Sequence, residues 1–545
     1  MSAESDAQKR APKGRADLRV SALLVALATL AFGLAWAAWF ADDAFITFRC
    51  LDNFVHGRGL TWNVAERVQA FTNPLWLFLL AAPYAAFGSI YWVSLAASWT
   101  AVVVLVALLL RHASSLAMGT VCVVLLAGSK AFLEYSVSGM ENPLLHVIVA
   151  AATVTMLRMD DPLRRARRLA LLASLAFLTR ADAVVYTGAL CASAWLAAPR
   201  WQTTRAIALG WLPIALWELF SLLYFGVWLP NTAVAKLGGG LPRAELAEQG
   251  LRYLQNSLLW DPLTLTTVVA ALATALRWPT RAARPALAVA MALAAHSVYV
   301  VAIGGDFMSG HFLSAPFVVA VFLLARLRPR PTVCAATVVL AAVLAVVSER
   351  SPWRPRPGPL GFQNATDPYG VTDERAVYYA FTAPLGGGYG PWGRMADGAA
   401  YPPALKAMER FEAGERVQVH TQVGMLGYFA GAELHILDPM GLGDPLLARL
   451  PITTTSGDSL FGRARDSVGR FWRIGHLERG IPEGYLESLK TDENRVAHPE
   501  LARAYALLHT ICRAPLFSAR RWHAILAHQR GATAEAIELW RREPR

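Results

Sequence analysis

The sequence predicts a polytopic α-helical membrane protein of 545 residues with a soluble α/β domain at its C-terminal end. Three observations predict it. Apolar residues make up 55% of the chain and charged residues 17%, with a mean hydropathy of +0.37, too apolar for an ordinary soluble protein of this size. Basic clusters recur between long apolar runs, in the positions that orient membrane helices. Near Ser348 the composition shifts abruptly to Pro-, Gly- and charge-rich sequence (SPWRPRPGPLGFQN), which leads into one domain's length of more polar chain.

Residues 1–19 form a basic tail: Lys9, Arg10, Lys13, Arg15 and Arg19 precede the uncharged run Val20 to Phe40, long enough to cross a bilayer as a helix at ~1.5 Å per residue. The positive-inside rule puts this tail in the cytoplasm. Ala35-Trp36-Ala37 resembles a signal-peptide cleavage site, but the run is long for a signal peptide and many apolar runs follow, so it is read as the first span. Further candidate spans lie at 91–110, 115–132, 143–158, 168–178, 183–198, 206–226, 262–277, 285–303, 312–326 and 332–348, several of them short. With eleven crossings, Arg111, the cluster Arg164 to Arg168, Arg200 with Arg205, Arg277 to Arg284 and Arg326 to Arg330 all fall inside. That count requires 74–88 (PLWLFLLAAPYAAFG) to be a juxtamembrane or re-entrant helix. Tryptophans at run ends, among them Trp36, Trp76, Trp211 and Trp260, fit an interfacial belt.

Residues 20–348 are thus the predicted transmembrane domain, with 41–90, 133–142, 227–261 and 304–311 as outer loops, and 349–545 is a predicted outer α/β domain. In it RVQVHT and ELHILDP read as strands around a glycine-containing turn or short helix, and 499–540 has helical periodicity. No internal repeat is visible. The net charge of +12 does not point to nucleic acid, because the basic residues are scattered between apolar runs rather than gathered in a groove. Five cysteines, an odd number with no CxxC pattern, argue against a disulfide framework and a thiolate zinc site, and Cys50 and Cys512, which share the outer compartment, are read as unpaired thiols. The histidines show no HxxH or HxH spacing, so no cofactor or metal motif is identified. Paired aspartates remain able to hold a divalent ion through oxygen.

The outer loops hold the stretches least explained by packing: DDAFITFR (42–49), EYSVSGMENP (134–143), PNTAVAK (230–236) and GGDFMSGHF (304–312). Each abuts an apolar span, where a lower dielectric strengthens electrostatics. A carboxylate there can act as general base on an acceptor hydroxyl while a cation stabilises a departing phosphate. Nucleotide-activated sugars are absent at an outer face, so sugar transfer there requires a donor linked through a lipid phosphate. Asp42 and Asp43 are the candidate acids, with helix capping as the alternative for either one. Arg49 and Lys236 are candidate phosphate partners. Glu141 is either a second acid or a helix cap, Asp306 follows two glycines that let backbone approach a ligand or simply turn, and His311 is a candidate hydrogen-bonding group. Arg180, near the outer apex of a long apolar region, either pairs with Asp182 or faces the donor.

With these residues in place the chain resembles the GT-C membrane glycosyltransferases. More narrowly it resembles the AftB-like terminal arabinofuranosyltransferase group of actinobacteria and its relatives in other bacteria. DDAFITFRCLDNFVHGRGLTWNVAERVQAFTNPLW, SGMENPL, LPNTAVAK, GGDFMSGHFL, MLGYFAGAELHILDPMGLGDPLLARLP and FWRIGH carry the resemblance, in order, across residues 41–476. It implies a polyprenyl-phosphate sugar donor, such as decaprenyl-phosphate arabinofuranose, and inverting transfer to a cell-envelope glycan. It also implies that Asp42 or Asp43 is the base, that Asp306 and Lys236 lie in the site, and that the C-terminal domain recognises the acceptor, with Asp438, Arg473 and His476 as candidate contacts. Relatives often carry an arginine soon after GGDFM, where this chain has His311. Two rival classes share some of these features: a lipid or solute transporter, which usually shows repeated halves, and a non-catalytic envelope regulator on the same scaffold.

Overall fold

The computed structural model describes residues 13–238, 240–277, 283–354, 360–384, 402–452 and 474–543. The described chain is mostly helical. Helices Asp17–Ala37, Ile90–His112 and Arg284–Ala302 are long and apolar enough to cross a membrane. Two further pairs reach that length only if each is counted as one broken span: Trp201–Gly210 with Leu212–Tyr224, bent by 45°, and Arg243–Trp260 with Pro262–Leu276, bent by 111°. The causes of both bends are local. Pro213 opens the second helix of the first pair, while in the second Asp261 caps the helix that Pro262 begins, its carboxylate accepting from Thr264.

Length alone therefore gives three to five crossings among the described residues, against the eleven expected. The remaining apolar helices are short: Pro74–Phe87, Leu116–Gly128, Asn142–Arg158, Ala181–Ala197, His311–Leu324 and Pro331–Val347. Pro74–Phe87, expected not to cross, has 14 residues and ends at left-handed Gly88, so at ~1.5 Å per residue it is well short of a bilayer core. The stretch 227–261, expected as an outer loop, contains helices Asn231–Leu237 and Arg243–Trp260. The second is too polar to register as an apolar run. Its polar face is nonetheless packed, with Gln249 donating to Tyr369 O (2.7 Å) and Asn256 to Asp367 (2.7 Å).

In the C-terminal region strands Val417–Val419 and His435–Leu437 form at the two expected places and pair in parallel, Val417 opposite His435, with helix Gly424–Phe429 between them. Among the described residues this sheet has two strands. Helices Pro499–Arg513, Ala519–Gln529 and Ala532–Arg542 follow; a separate apolar cluster joins the first and last of them to the sheet through Val417, Leu437, Leu446, Tyr485, Leu508 and Ile537, while Ala524 and Ile525 of the middle one pack on Ile511.

The largest apolar cluster does not stop at Ser348. It runs from Leu30, Trp39 and Phe45 through Val149 and Phe317 to Ala365, Met425 and Ile436. Polar ties reinforce the junction. Arg375 donates to the carbonyls of Trp36 (3.1 Å) and Ala37 (3.2 Å), Arg513 pairs with Glu66 (2.9 Å), and Arg521 donates to Leu223 and Tyr224 carbonyls (2.9 and 2.8 Å). All five cysteines are free thiols.

Candidate active site

The chain leaves its first helix at Ala37 and runs extended to Ala41, with Trp39 N–H bonding Val137 O and Ala41 N–H bonding Ser138 O. This short pairing brings the SGMEN turn alongside the aspartate pair. Gly139 turns with φ +77°, and a side chain there would strike the Phe40 ring, so the close approach needs glycine.

The two aspartates then diverge. Asp42 is buried, and its carboxylate accepts the backbone N–H groups of Gly424 (3.0 Å) and Met425 (2.8 Å), at the start of helix Gly424–Phe429. Asp42 caps a helix nearly four hundred residues away rather than its own. A Cβ at position 424 would collide with the Asp42 carbonyl, so the contact depends on glycine. Burial raises the Asp42 carboxyl to about 7 despite the Met425 N–H, and the neighbouring Asp43 charge adds to the rise. Asp43, one position on, is half-buried and lines a cavity of about 250 Å³. It makes no hydrogen bond or ion pair among the described residues. Its carboxyl is also raised by burial, with Lys236 opposing and Asp306 adding to the rise.

The same cavity collects Glu141, Arg180, Lys236, Asp306 and His311 from four distant segments. Glu141 accepts from Asn73 (2.8 Å), which itself accepts from Thr47 (3.0 Å). Arg180 breaks the chain between helices Pro162–Thr179 and Val184–Ala197. Its guanidinium takes Asp182 in a two-pronged pair (3.1 Å for both bonds), lies 3.9 Å from Glu141, and stacks over the Phe312 ring at 4.5 Å. It also donates to His311 Nε2 (2.7 Å), while His311 Nδ1 donates to Asp306 (2.5 Å), an arrangement that fits the neutral Nδ1–H tautomer. Although buried, Asp306 is held below the usual carboxylate range by the hydrogen bond from His311 and by the nearby Lys236 and Arg180 cations. Gly304 and Gly305, at φ +91° and +69°, turn the chain to set Asp306 there. A side chain at Gly305 would meet the Tyr253 ring. Lys236, on helix Asn231–Leu237, is exposed into the cavity and has no hydrogen-bond or ion-pair partner among the described residues.

Other sequence candidates lie elsewhere. Arg49 is fully buried away from the cavity, with Nε on Trp62 O (2.8 Å), Nη2 on Leu434 O (2.7 Å), Nη1 on Gly427 O and its cation over the Trp62 ring. Asp438 is buried with its oxygens on the amides of Met440 (2.9 Å) and Leu442 (2.7 Å); burial raises it to about 6. His476 packs edge-on to Phe307 (4.3 Å) and lines a smaller neighbouring cavity. Arg473 lies outside the described residues. The expected pairing of Arg180 with Asp182 is present, whereas Asn73 and Thr47 were not among the sequence candidates. Asn73 stands before Pro74 in FTNPLW and reads as a helix cap, yet its side chain makes no cap bond and bridges Thr47 to Glu141 instead. Among the described residues no group of three or more His, Cys, Asp or Glu side chains is disposed to hold a metal ion.

Two curated relatives match the chain. The terminal β-(1→2)-arabinofuranosyltransferase of Mycobacterium tuberculosis is 26% identical over 79% of this chain and 82% of its own length. The protein of the same name from Corynebacterium glutamicum is 26% identical over 92% of this chain and 85% of its own. The chain resembles these arabinofuranosyltransferases along most of its length. No family model matches it, and no solved structure does. At 92% of this chain, the likeness to the Corynebacterium glutamicum protein extends past Ser348 into the C-terminal region.

Proposed function

We propose that this protein is a membrane glycosyltransferase of the GT-C type, with Asp43 as general base. It moves a sugar, by the relatives' name arabinofuranose, from a polyprenyl-phosphate donor to a cell-envelope glycan at the outer face of the inner membrane. One observation carries the reading: Asp43 and Lys236, neither with a hydrogen-bond or ion-pair partner among the described residues, face one cavity that also gathers Arg180, Asp306 and His311. The acceptor hydroxyl gives its proton to the Asp43 carboxylate as its oxygen bonds the anomeric carbon. The bond from that carbon to the phosphate oxygen breaks, and the electron pair leaves on the phosphate, which Lys236 neutralises. Asp306 orients His311, and His311 and Asp182 orient Arg180 at the cavity wall, so that the second cation is fixed before the donor arrives. Asp42 serves as the anchor that holds helix Gly424–Phe429 against the site.

In this reading the cytoplasm holds residues 1–19, and the region after Ser348 lies outside with the catalytic loops. The test is an in vitro assay of the purified protein with a panel of polyprenyl-phosphate sugars and a synthetic arabinofuranoside acceptor. Transfer from polyprenyl-phosphate arabinofuranose is expected, and no transfer from any member of the panel overturns the reading.

A further inference from the structure

Asp43 and Lys236 line two cavities, not one. The larger, described above, has apolar walls that include Ile46, Phe71, Trp76 and Ile303. The smaller, of about 40 Å³, is shared between the membrane-side residues and the C-terminal region, with Glu374, Tyr378, Thr421 and Gln422 among its lining. That is room for about three waters, the space of a sugar's hydroxyl edge rather than of a lipid chain. We propose that the smaller cavity seats the terminal sugar of the acceptor, a hydroxylated furanose or pyranose edge whose reacting hydroxyl faces Asp43. The inference rests on the glycosyl-transfer reading and adds the acceptor's place to it.

Three features support it. A carboxylate, a phenol, a hydroxyl and an amide converge in this cavity, a set able to hydrogen-bond vicinal hydroxyls in both senses, while the larger cavity's walls suit a lipid-linked group. Gln422 Nε2 donates to the Tyr378 hydroxyl (3.0 Å), which fixes the orientation of the amide. The segment 421–423 runs directly into Gly424 and Met425, whose amides Asp42 holds, so this wall is tied to the residue next to the base. An acceptor seated here approaches Asp43 from one side while the donor's anomeric carbon lies on the other. Displacement requires that disposition, with nucleophile and leaving group on opposite faces of the carbon.

The experiment uses the full-length protein in lipid nanodiscs, polyprenyl-phosphate arabinofuranose as donor and an octyl arabinofuranoside as acceptor. Loss of one hydrogen bond to the acceptor in Thr421→Val or Gln422→Ala is expected to raise the acceptor KM by ~5- to 10-fold and to leave the donor KM within about twofold. An acceptor KM within about twofold of the parent's in both variants, or an equal rise in both KM values, overturns the proposal. If Gln422→Ala does not fold, Thr421→Val, which keeps the side chain's size and branching, carries the test alone. Asp43→Asn in the same assay separates the two readings. If it is inactive while the cavity variants behave as the parent, only the acceptor seat fails; if it is fully active, the base assignment fails and the proposal with it.

Discussion

Replacing the two adjacent aspartates separately should give two different defects. Asp43 makes no hydrogen bond or ion pair among the described residues, so Asp43→Asn removes no contact that holds the fold and leaves the thermal midpoint close to the parent's. What it removes is the proton acceptor. A positioned general base is worth about 10²- to 10⁴-fold in rate, which corresponds to ~3–5 kcal/mol of barrier. Asp42→Asn has the opposite signature. Its carboxylate accepts two backbone N–H groups, and an asparagine oxygen accepts one while its NH₂ turns toward the other. An unsatisfied buried donor costs ~1–3 kcal/mol. The midpoint should fall, and whatever transfer is lost should follow the displacement of helix Gly424–Phe429. The assays are polyprenyl-phosphate arabinofuranose transfer and thermal unfolding in detergent, run on both variants. Full transfer by Asp43→Asn would refute the assignment of the base, and an equal fall in midpoint for both variants would refute the division of roles.

The rate should also depend on pH in a defined direction. Because burial raises the Asp43 carboxyl above its usual 3.8 and the base works only when ionised, kcat/KM should rise with pH through a midpoint above 3.8, measured with a pH-independent donor. Lys236→Met removes the main charge opposing that rise, so it should shift the acid limb to still higher pH and raise the donor KM by ~10- to 100-fold, at ~1.4 kcal/mol per decade for a lost charge-assisted contact. An unshifted limb in that variant would count against Lys236 facing the base. Arg49→Lys should lower stability by ~2 kcal/mol or more, because an ammonium cannot serve the Trp62, Gly427 and Leu434 carbonyls as a planar fork does; unchanged expression and midpoint would refute this.

Sequence patterns reveal the helical class, the two strands and the approximate ends of the apolar helices, since those depend on local periodicity and punctuation. They also mark the cavity's ionisable groups, because a charge at the end of an apolar run is costly and therefore conspicuous: Glu141, Lys236, Asp306 and His311 all stand out this way. Arg49 stands out by the same rule but is engaged by the backbone carbonyls of Trp62, Gly427 and Leu434. Contacts between side chain and distant backbone leave no spacing signal. For the same reason Asp42 and Asp43 are indistinguishable along the chain, and only the fold separates one that is capped into position from one that faces open space. The polar helix Arg243–Trp260 escapes notice because amides share its packing with Tyr253 and Trp260, which breaks up the apolar periodicity. The junction at Ser348 misleads in another way: composition changes there, but the apolar cluster continues across it.

The anchor from Asp42 recognises main-chain amides rather than side chains, and this bears on how interchangeable the two ends of the chain are. A C-terminal segment grafted from a relative need not match this chain's side chains at the contact. It must present two consecutive amides at the opening of a short helix and carry glycine at the first of them, where any Cβ would strike the Asp42 carbonyl. Chimeras that keep that glycine should dock, and those whose exchanged segment begins before Glu374 should carry their own residues at 374, 378, 421 and 422 to the cavity beside an unaltered Asp43.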